Sequence, residues 1–341
     1  MSIINKPSNH PVFPDKSKVA IILVNLGTPD GTDYWSMRKY LKQFLMDKRV
    51  VDLFRPIWWL ILNGPILTFR PSKSGKAYKK IWDEQNHGSP LRKFTINQTN
   101  KLKDSFKDNK NLIIDYAMRY GNPGIEKVLN KIVEKGCSKL LLVPLYPQYA
   151  ASTTATVKDE VFKWMLKQRW QPDIRTIAPW FDDKNYIKAL ADTVNSNLKN
   201  KNTLDKLIVS FHGIPQRYFK AGDPYHCHCI KTARLLKEEL KWPDDKILVT
   251  FQSRFGPEPW LQPYTDKTII ELAKSGKKRI AVIAPGFISD CLETLEELNV
   301  EARELFIEHG GESFQYIPCL NDNKFSIKFL NNLIKQNLQG W

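Results

Sequence analysis

Apolar runs recur along this chain at intervals, and the polar positions between them follow a different period. Lys18–Leu26 is an almost unbroken apolar run, the pattern of a strand buried on both faces, and Gly27-Thr28-Pro29-Asp30-Gly31 ends it with turn residues. Seven further runs are of the same kind: Leu112–Met118, Leu140–Leu145, Ile174–Ile177, Leu207–Phe211, Ile247–Phe251, Ile280–Ile283 and Ser313–Ile317. Amphipathic segments with helical period separate most of them, at Gly124–Lys135, Thr154–Gln168, Lys184–Leu198, Ile230–Leu240, Tyr264–Lys274 and Asp290–His309. Such alternation predicts parallel strands joined by crossover helices. The strands fall into two sets of four, with the break near Trp180–Lys184. The expected fold is α/β: two similar doubly wound domains, each a four-stranded parallel sheet flanked by helices, with a cleft between them. The spans expected are 16–180 and 181–322, with the last helical run, Phe325–Leu338, packing back on the first half.

One interval breaks the rhythm. Roughly eighty residues separate the first two strands, where a βαβ unit needs roughly thirty. Inside this insertion, about residues 47–80, the run from Arg55 to Arg70 is rich in large apolar side chains but is interrupted by Asn63-Gly64-Pro65. It is too short to span a bilayer, and Lys73, Lys76, Lys79 and Lys80 follow it. Trp58, Trp59 and Leu60 between basic flanks suit a segment lying in a membrane interface. A buried helical hairpin or a dimer contact has the same composition.

The chain has 341 residues, 42% of them hydrophobic, with 17 Phe, 12 Tyr and 10 Trp, which places it among folded proteins. Its net charge of +16 suits nucleic acid, anionic lipid or an acidic small molecule. No helix-turn-helix, RNA-recognition or zinc-finger pattern occurs, so a nucleic-acid partner is not expected. Five cysteines without a spaced framework fit reduced thiols in a cytoplasmic setting. Met1–Lys18 is polar with three prolines and has no signal-type apolar core, so export is not expected either.

Ligands in open α/β sheets bind at the carboxyl ends of the strands, so the residues that end each strand are the candidate site. The first half offers Asn25-Leu26-Gly27-Thr28-Pro29, Arg119-Tyr120 and Tyr146-Pro147-Gln148-Tyr149. The second offers His212-Gly213-Ile214-Pro215, Gln252-Ser253-Arg254-Phe255-Gly256-Pro257 and Pro285-Gly286-Phe287-Ile288-Ser289-Asp290. His212 is the candidate base near neutral pH; a hydrogen-bonded structural histidine reads the same way. Arg119 or Arg254 suits a ligand's carboxylates, and each equally suits an ion pair. Asp290 and Glu293 have capping-box spacing. At 100° per residue, Glu293, Glu297, Glu301, Glu304 and Glu308 share a helix face; the distal ones read as solvated, while Glu293 and Glu297 begin beside the cleft. Tyr225-His226-Cys227-His228-Cys229 has no second ligand pair at zinc spacing and is not expected to hold a metal.

Six segments, in this order, resemble ferrochelatases across nearly the whole chain. They are Asn25-Leu26-Gly27-Thr28-Pro29, Tyr146-Pro147-Gln148-Tyr149, Ser210–Pro215, Gly222-Asp223-Pro224-Tyr225, Phe251–Leu261 and Asp290–Glu297. The Trp58-Trp59 insertion looks most like the protoporphyrin-using enzymes of Gram-negative bacteria. The resemblance implies a chelatase-like fold and insertion of Fe(II) into protoporphyrin IX with loss of two pyrrole protons, the last step of that route to haem, a lyase reaction. It implies that His212 is the base or metal ligand and Glu293 its partner across the pocket, with Glu297 continuing a carboxylate path. Tyr146, Trp260 and Phe287 become pocket walls, and Arg119 and Tyr120 the polar positions of the other domain; Asn25, Leu26, Gln148, Ser253 and Arg254 complete the implied substrate-binding set. A peripheral place on the inner face of the cytoplasmic membrane and contact with other haem-pathway enzymes follow from the same resemblance. Some relatives carry a [2Fe–2S] cluster on four cysteines; here Ala151 stands at the first of those positions and no cysteine follows Cys319, so no such cluster is expected. Coproporphyrin III ferrochelatase, or a non-catalytic porphyrin- or haem-binding protein, are the rival readings.

Overall fold

A computed structural model describes residues 15–198 and 203–341. Most of the Met1–Lys18 stretch, on which the expectation about export rests, lies outside the described residues. Eight strands form two sheets: β1 (Asp15–Thr28), β2 (Leu112–Gly121), β3 (Cys137–Pro144) and β4 (Asp173–Thr176), then β5 (Lys206–His212), β6 (Ile247–Gln252), β7 (Arg279–Ile283) and β8 (Ser313–Ile317). Each matches an apolar run of the sequence. All pairings are parallel, and the spatial orders β2-β1-β3-β4 and β6-β5-β7-β8 are the same topology used twice. Both sheets are doubly wound, as the unbroken apolar strands require.

The helices of the first half are α1 (Tyr34–Leu45), α2 (Arg55–Ile61), α3 (Leu67–Ile81), α4 (Pro90–Ser105), α5 (Ile125–Glu134) and α6 (Thr156–Leu166). Those that follow are α7 (Lys184–Asn197), α8 (Gln216–Lys220), α9 (Tyr225–Leu240), α10 (Thr265–Lys274), α11 (Ala302–Glu308) and α12 (Lys324–Asn337). Helix α9 begins five residues before the expected Ile230, because Asp223 accepts from the Tyr225 N–H and starts the helix there. Just ahead of α11, Glu293–Glu301 winds as a π-helix rather than the α-helix that the period suggested.

One buried cluster runs through both halves. It takes in Ile21, Leu23 and Leu141 of the first sheet, Leu207, Val209 and Ile283 of the second, and Leu190, Val194, Phe329 and Ile334 of α7 and α12. Helix α12 packs against both α7 and α4. The two sheets are therefore held at a fixed separation by shared apolar packing.

The long insertion is a small helical lobe with its own core of Met37, Tyr40, Leu41, Trp58, Leu62, Leu67 and Tyr78, closed onto Tyr120 of β2. Trp58 is a correction to the membrane expectation: it is only 3% exposed and its indole N–H donates to Leu45 O at 2.8 Å. Trp59 and Leu60, 52% and 64% exposed, do face outward, with Phe54, Ile57 and Phe69. No described helix is long and apolar enough to cross a membrane.

Strands β1 and β2 meet so closely at their ends that Gly27 has no substitute. A Cβ there would lie 1.7 Å from the Tyr120 carbonyl oxygen, and its φ of 107° suits glycine alone. Gly27→Ala is expected to cost at least about 2–4 kcal/mol in denaturant unfolding. An unchanged midpoint and slope would contradict the close approach.

Candidate active site

His212 ends β5, and its strand partners fix what surrounds it. Its Nδ1 lies 2.6 Å from the Gly213 carbonyl oxygen. A carbonyl only accepts, so the neutral ring carries its proton on Nδ1 and keeps the Nε2 lone pair for a proton or a metal. The Trp260 ring lies against Gly213, since a Cβ on that glycine would come 3.1 Å from it. Beside His212 in register stands Gln252, the last residue of β6. Its amide oxygen accepts from Ser210 Oγ at 2.8 Å, and its Nε2 donates to the Glu293 carbonyl at 2.8 Å. This one buried amide therefore ties β5 and β6 to the start of the acidic turn.

The π-helical winding changes what the glutamates can do. π-turns widen a helix locally and recur at functional sites. Glu293 and Glu297 are half-buried, while Glu301, Glu304 and Glu308 are exposed, the solvated face expected of the distal residues. Ser253, held at φ 60°, donates its N–H to Glu297 Oε1 at 2.8 Å and its hydroxyl to Oε2. Burial pushes the Glu297 carboxyl above its ordinary value; the Ser253 hydroxyl and His212 pull it down, and the Glu293 charge adds to the rise. His212 and Glu293 thus both act on Glu297, at the carboxyl edge of the second sheet. Glu293, expected across the pocket from His212, is tied through its carbonyl to Gln252, the β6 neighbour of His212.

The facing wall comes from the first half. Burial raises the Tyr40 and Tyr78 phenols, with Glu293's negative charge adding to both, so these rings stand beside it and stay neutral. Burial pulls the Arg70 guanidinium down and Glu293 opposes it; Arg70 also stacks over the Phe255 ring at 4.9 Å. Leu292 packs into the lobe around Trp58 and Tyr120. Tyr146 is buried beside Tyr40, Tyr120 and Arg119, and its hydroxyl has no partner among the described residues. Phe287 packs with Met118, Leu91 and Cys291 where the halves meet. Tyr40, Arg70 and Tyr78 were not found from the sequence; Gln252 was found as a strand-end residue, but without its role of tying the strands to the acidic turn.

Several expected ligand contacts are instead internal bonds. Arg119 is buried, donating from Nε to Thr156 Oγ1 at 2.6 Å and from Nη2 to Asp47 Oδ2 at 2.6 Å, so its charge is met within the protein. The Tyr120 hydroxyl also donates to Asp47, at 2.9 Å. Burial alone would raise the Asp47 carboxyl, but bonds from Thr156, the Arg49 N–H and Tyr120, with the Arg119 charge, bring it below its usual value. Arg254 pairs with Asp266 at 2.7 Å on the surface and lies over Tyr264. Asn25 donates to Thr95 and Gln148 to Thr232, each at 3.0 Å. Asp290 makes no capping box; its carboxylate accepts from Tyr316, Asn321 and Thr294. In the His-Cys-His-Cys stretch, His228 stacks on Phe181 with ring centroids 3.7 Å apart, Cys229 is buried and Cys227 exposed. No group of three ligating side chains suited to a metal occurs among the described residues. A separate groove of about 1070 Å³ between the insertion, α6 and α8 is lined by Asp47, Arg119, Tyr149 and Asp223, and by neither His212 nor Glu293.

Two similar parallel sheets with polar chemistry at facing strand ends form a chelatase fold. "SirB from Bacillus subtilis with Fe3+" has the same fold, with a TM-score of 0.55 at 14% identity, covering 94% of this chain and 96% of that one. The family model described as Ferrochelatase matches residues 18–338. Ferrochelatase of Allorhizobium ampelinum is 55% identical over 342 residues, covering 100% of this chain and 99% of the relative. Ferrochelatase of Agrobacterium fabrum is 55% identical over 339 residues, covering 98% and 97%. The chain belongs to the ferrochelatase family.

Because the folded Glu297 value lies above the unfolded one, its contribution to stability is present below the ordinary 4.5 and is lost as pH rises through the folded value. Glu297→Gln stays neutral and keeps an oxygen for the Ser253 N–H. Its melting temperature relative to wild type is expected to rise from about pH 4 to about pH 7. A difference that is constant across that range would contradict the burial of this carboxylate.

Proposed function

We propose that this chain inserts Fe(II) into protoporphyrin IX, a lyase reaction, with His212 as the base and Glu293 as the carboxylate that meets the metal. Family membership gives the coarser statement plainly: iron insertion into a porphyrin for haem synthesis. The observation that carries the finer reading is the His212 ring, whose Nδ1 is spent on Gly213 while Nε2 has no hydrogen-bond partner among the described residues, with the Glu297 carboxylate near enough to feel the ring. Protoporphyrin loses two N–H protons for each Fe(II) it takes up, and the two pyrrole nitrogens then bond the metal. Nε2 accepts one proton in this scheme, and the Glu297 carboxylate, made a stronger base by burial, suits the second and its onward transfer. Glu293 lies half-buried with Arg70 and the two phenols beside it. The neutral rings of Tyr40, Tyr78, Tyr146, Trp260 and Phe287 suit a flat apolar macrocycle. Arg70, without an ion-pair partner among the described residues, suits a carboxylate on its rim.

Residues 16–180 and 181–322 serve as two domains, with 323–341 returning to the first. The exposed Phe54, Ile57, Trp59, Leu60 and Phe69, near Lys73, Lys76 and Lys79, suit peripheral attachment to the inner face of the cytoplasmic membrane, where haem-pathway enzymes become partners. Ala151, in place of a cysteine, supports the absence of a [2Fe–2S] cluster; a charge-transfer band in aerobically purified protein would count against it.

His212→Ala is expected to bind protoporphyrin IX with affinity near wild type, read by fluorescence, while metallation falls about a hundredfold or more. Equal turnover would remove the base assignment. Wild-type turnover is expected to favour protoporphyrin IX over coproporphyrin III, and the reverse preference would support the rival substrate. Trp59→Ser with Leu60→Ser is expected to weaken sedimentation with anionic liposomes without lowering the melting temperature, whereas Trp58→Ser lowers the melting temperature by several degrees. Undiminished liposome binding by the double variant would remove the membrane proposal.

A further inference from the structure

Asp290 is buried three residues ahead of Glu293. Its carboxylate accepts from Tyr316 Oη at 2.6 Å, Asn321 Nδ2 at 2.6 Å, Thr294 Oγ1 at 3.0 Å and the Cys319 N–H at 3.3 Å. Asp290's own N–H donates to Asn321 Oδ1 at 2.8 Å. The Asn321 amide thus grips the backbone and the carboxylate of one residue with its two ends. Asn321 stands at φ 48°, in the left-handed region that asparagine tolerates, with its N–H bonded to Ile288 O at 2.7 Å. Its carbonyl accepts from Gln98 Nε2 at 2.6 Å, and Gln98 belongs to α4 in the first half. Next to it, Lys101 pairs with Asp322 at 2.6 Å. A continuous chain of bonds therefore leads from α4 through Asn321 and Asp290 to the head of the acidic turn.

Glu293 itself is placed by its backbone. Its carboxylate has no ion pair among the described residues, and Gln252 donates to its carbonyl from the second half. Gln252 and Ser253 hold the turn from the second sheet; Asp290 adds an anchor at its head that leads, through Asn321, to the first half. We propose that Asn321 is a positioning residue for metal insertion, clamping Asp290 so that Glu293 stands at working height beside His212, with Gln98 referring that height to the facing wall. The inference rests on the reading of Glu293 as the carboxylate that meets the iron.

Asn321→Gly keeps the left-handed backbone and the carbonyl that Gln98 binds, and deletes only the amide. The expected result is a fall in kcat for iron insertion of about ten- to hundredfold, with porphyrin affinity by fluorescence titration within about twofold of wild type. Gln98→Ala lowers kcat in the same direction by less. The decisive arm is the double variant Asn321→Gly with Glu293→Gln. If Asn321 acts through Glu293, the pair is no slower than Glu293→Gln alone. Multiplicative losses would overturn the proposal, as would an unchanged kcat for Asn321→Gly or a fall in porphyrin affinity and melting temperature parallel to kcat. Wild-type turnover by Glu293→Gln alone would instead remove the reading of the site, and this inference with it.

Discussion

Burial of both faces of two parallel sheets is the constraint from which the rest follows. Strands such as Ile21-Ile22-Leu23-Val24 and Leu207-Ile208-Val209 leave no room for polar chemistry along their length. Functional side chains are confined to the strand ends, where chain direction changes and backbone groups are free to meet a ligand. Because one apolar cluster through α7 and α12 joins the two sheets, their edges cannot drift apart without exposing that core. The placing of these strand ends is a consequence of packing before it is a property of any residue there.

At these strand ends, two scales of interaction divide the work. Neutral rings and aliphatic side chains keep the local dielectric low, which raises the Glu297 carboxyl and strengthens any charge the site does carry. Short polar bonds then fix position: Gly213 sets the His212 tautomer, Gln252 joins the histidine strand pair to the acidic turn, and Ser253 grips Glu297 from a left-handed backbone. Strained backbone at such a residue is sustained only because its neighbours over-determine it. The π-helical turn is the matching feature on the other side of that bond.

The eight strands were legible because unbroken apolar runs bounded by Gly and Pro have few other uses, and the doubled arrangement followed from their spacing. His212, Glu293 and Glu297 were legible as strand-end and helix-start residues. The facing wall was not, because Tyr40, Arg70 and Tyr78 lie in a helical lobe whose orientation depends on tertiary packing. Adjacent Trp58 and Trp59 had to point apart on a helix, so reading them as one membrane surface overlooked a signal that was present. Arg119 looked available because Asp47, which neutralises it, lies 72 positions away in sequence. Polar residues such as Asn25 and Gln148 were drawn into joints between elements for the same reason: long-range partners leave no local trace.

The role proposed for His212 requires the ring proton to sit on Nδ1, against the Gly213 carbonyl, and Nε2 to face the metal. Nitrogen-15 NMR of imidazole-labelled protein, with His212 assigned by the His212→Ala variant and zinc(II) added as a diamagnetic probe, tests it most directly. The account predicts a neutral Nδ1–H ring whose Nε2 resonance alone moves on adding zinc, by less in Glu293→Gln. A ring protonated on Nε2, or a metal shift seen at Nδ1, would contradict it.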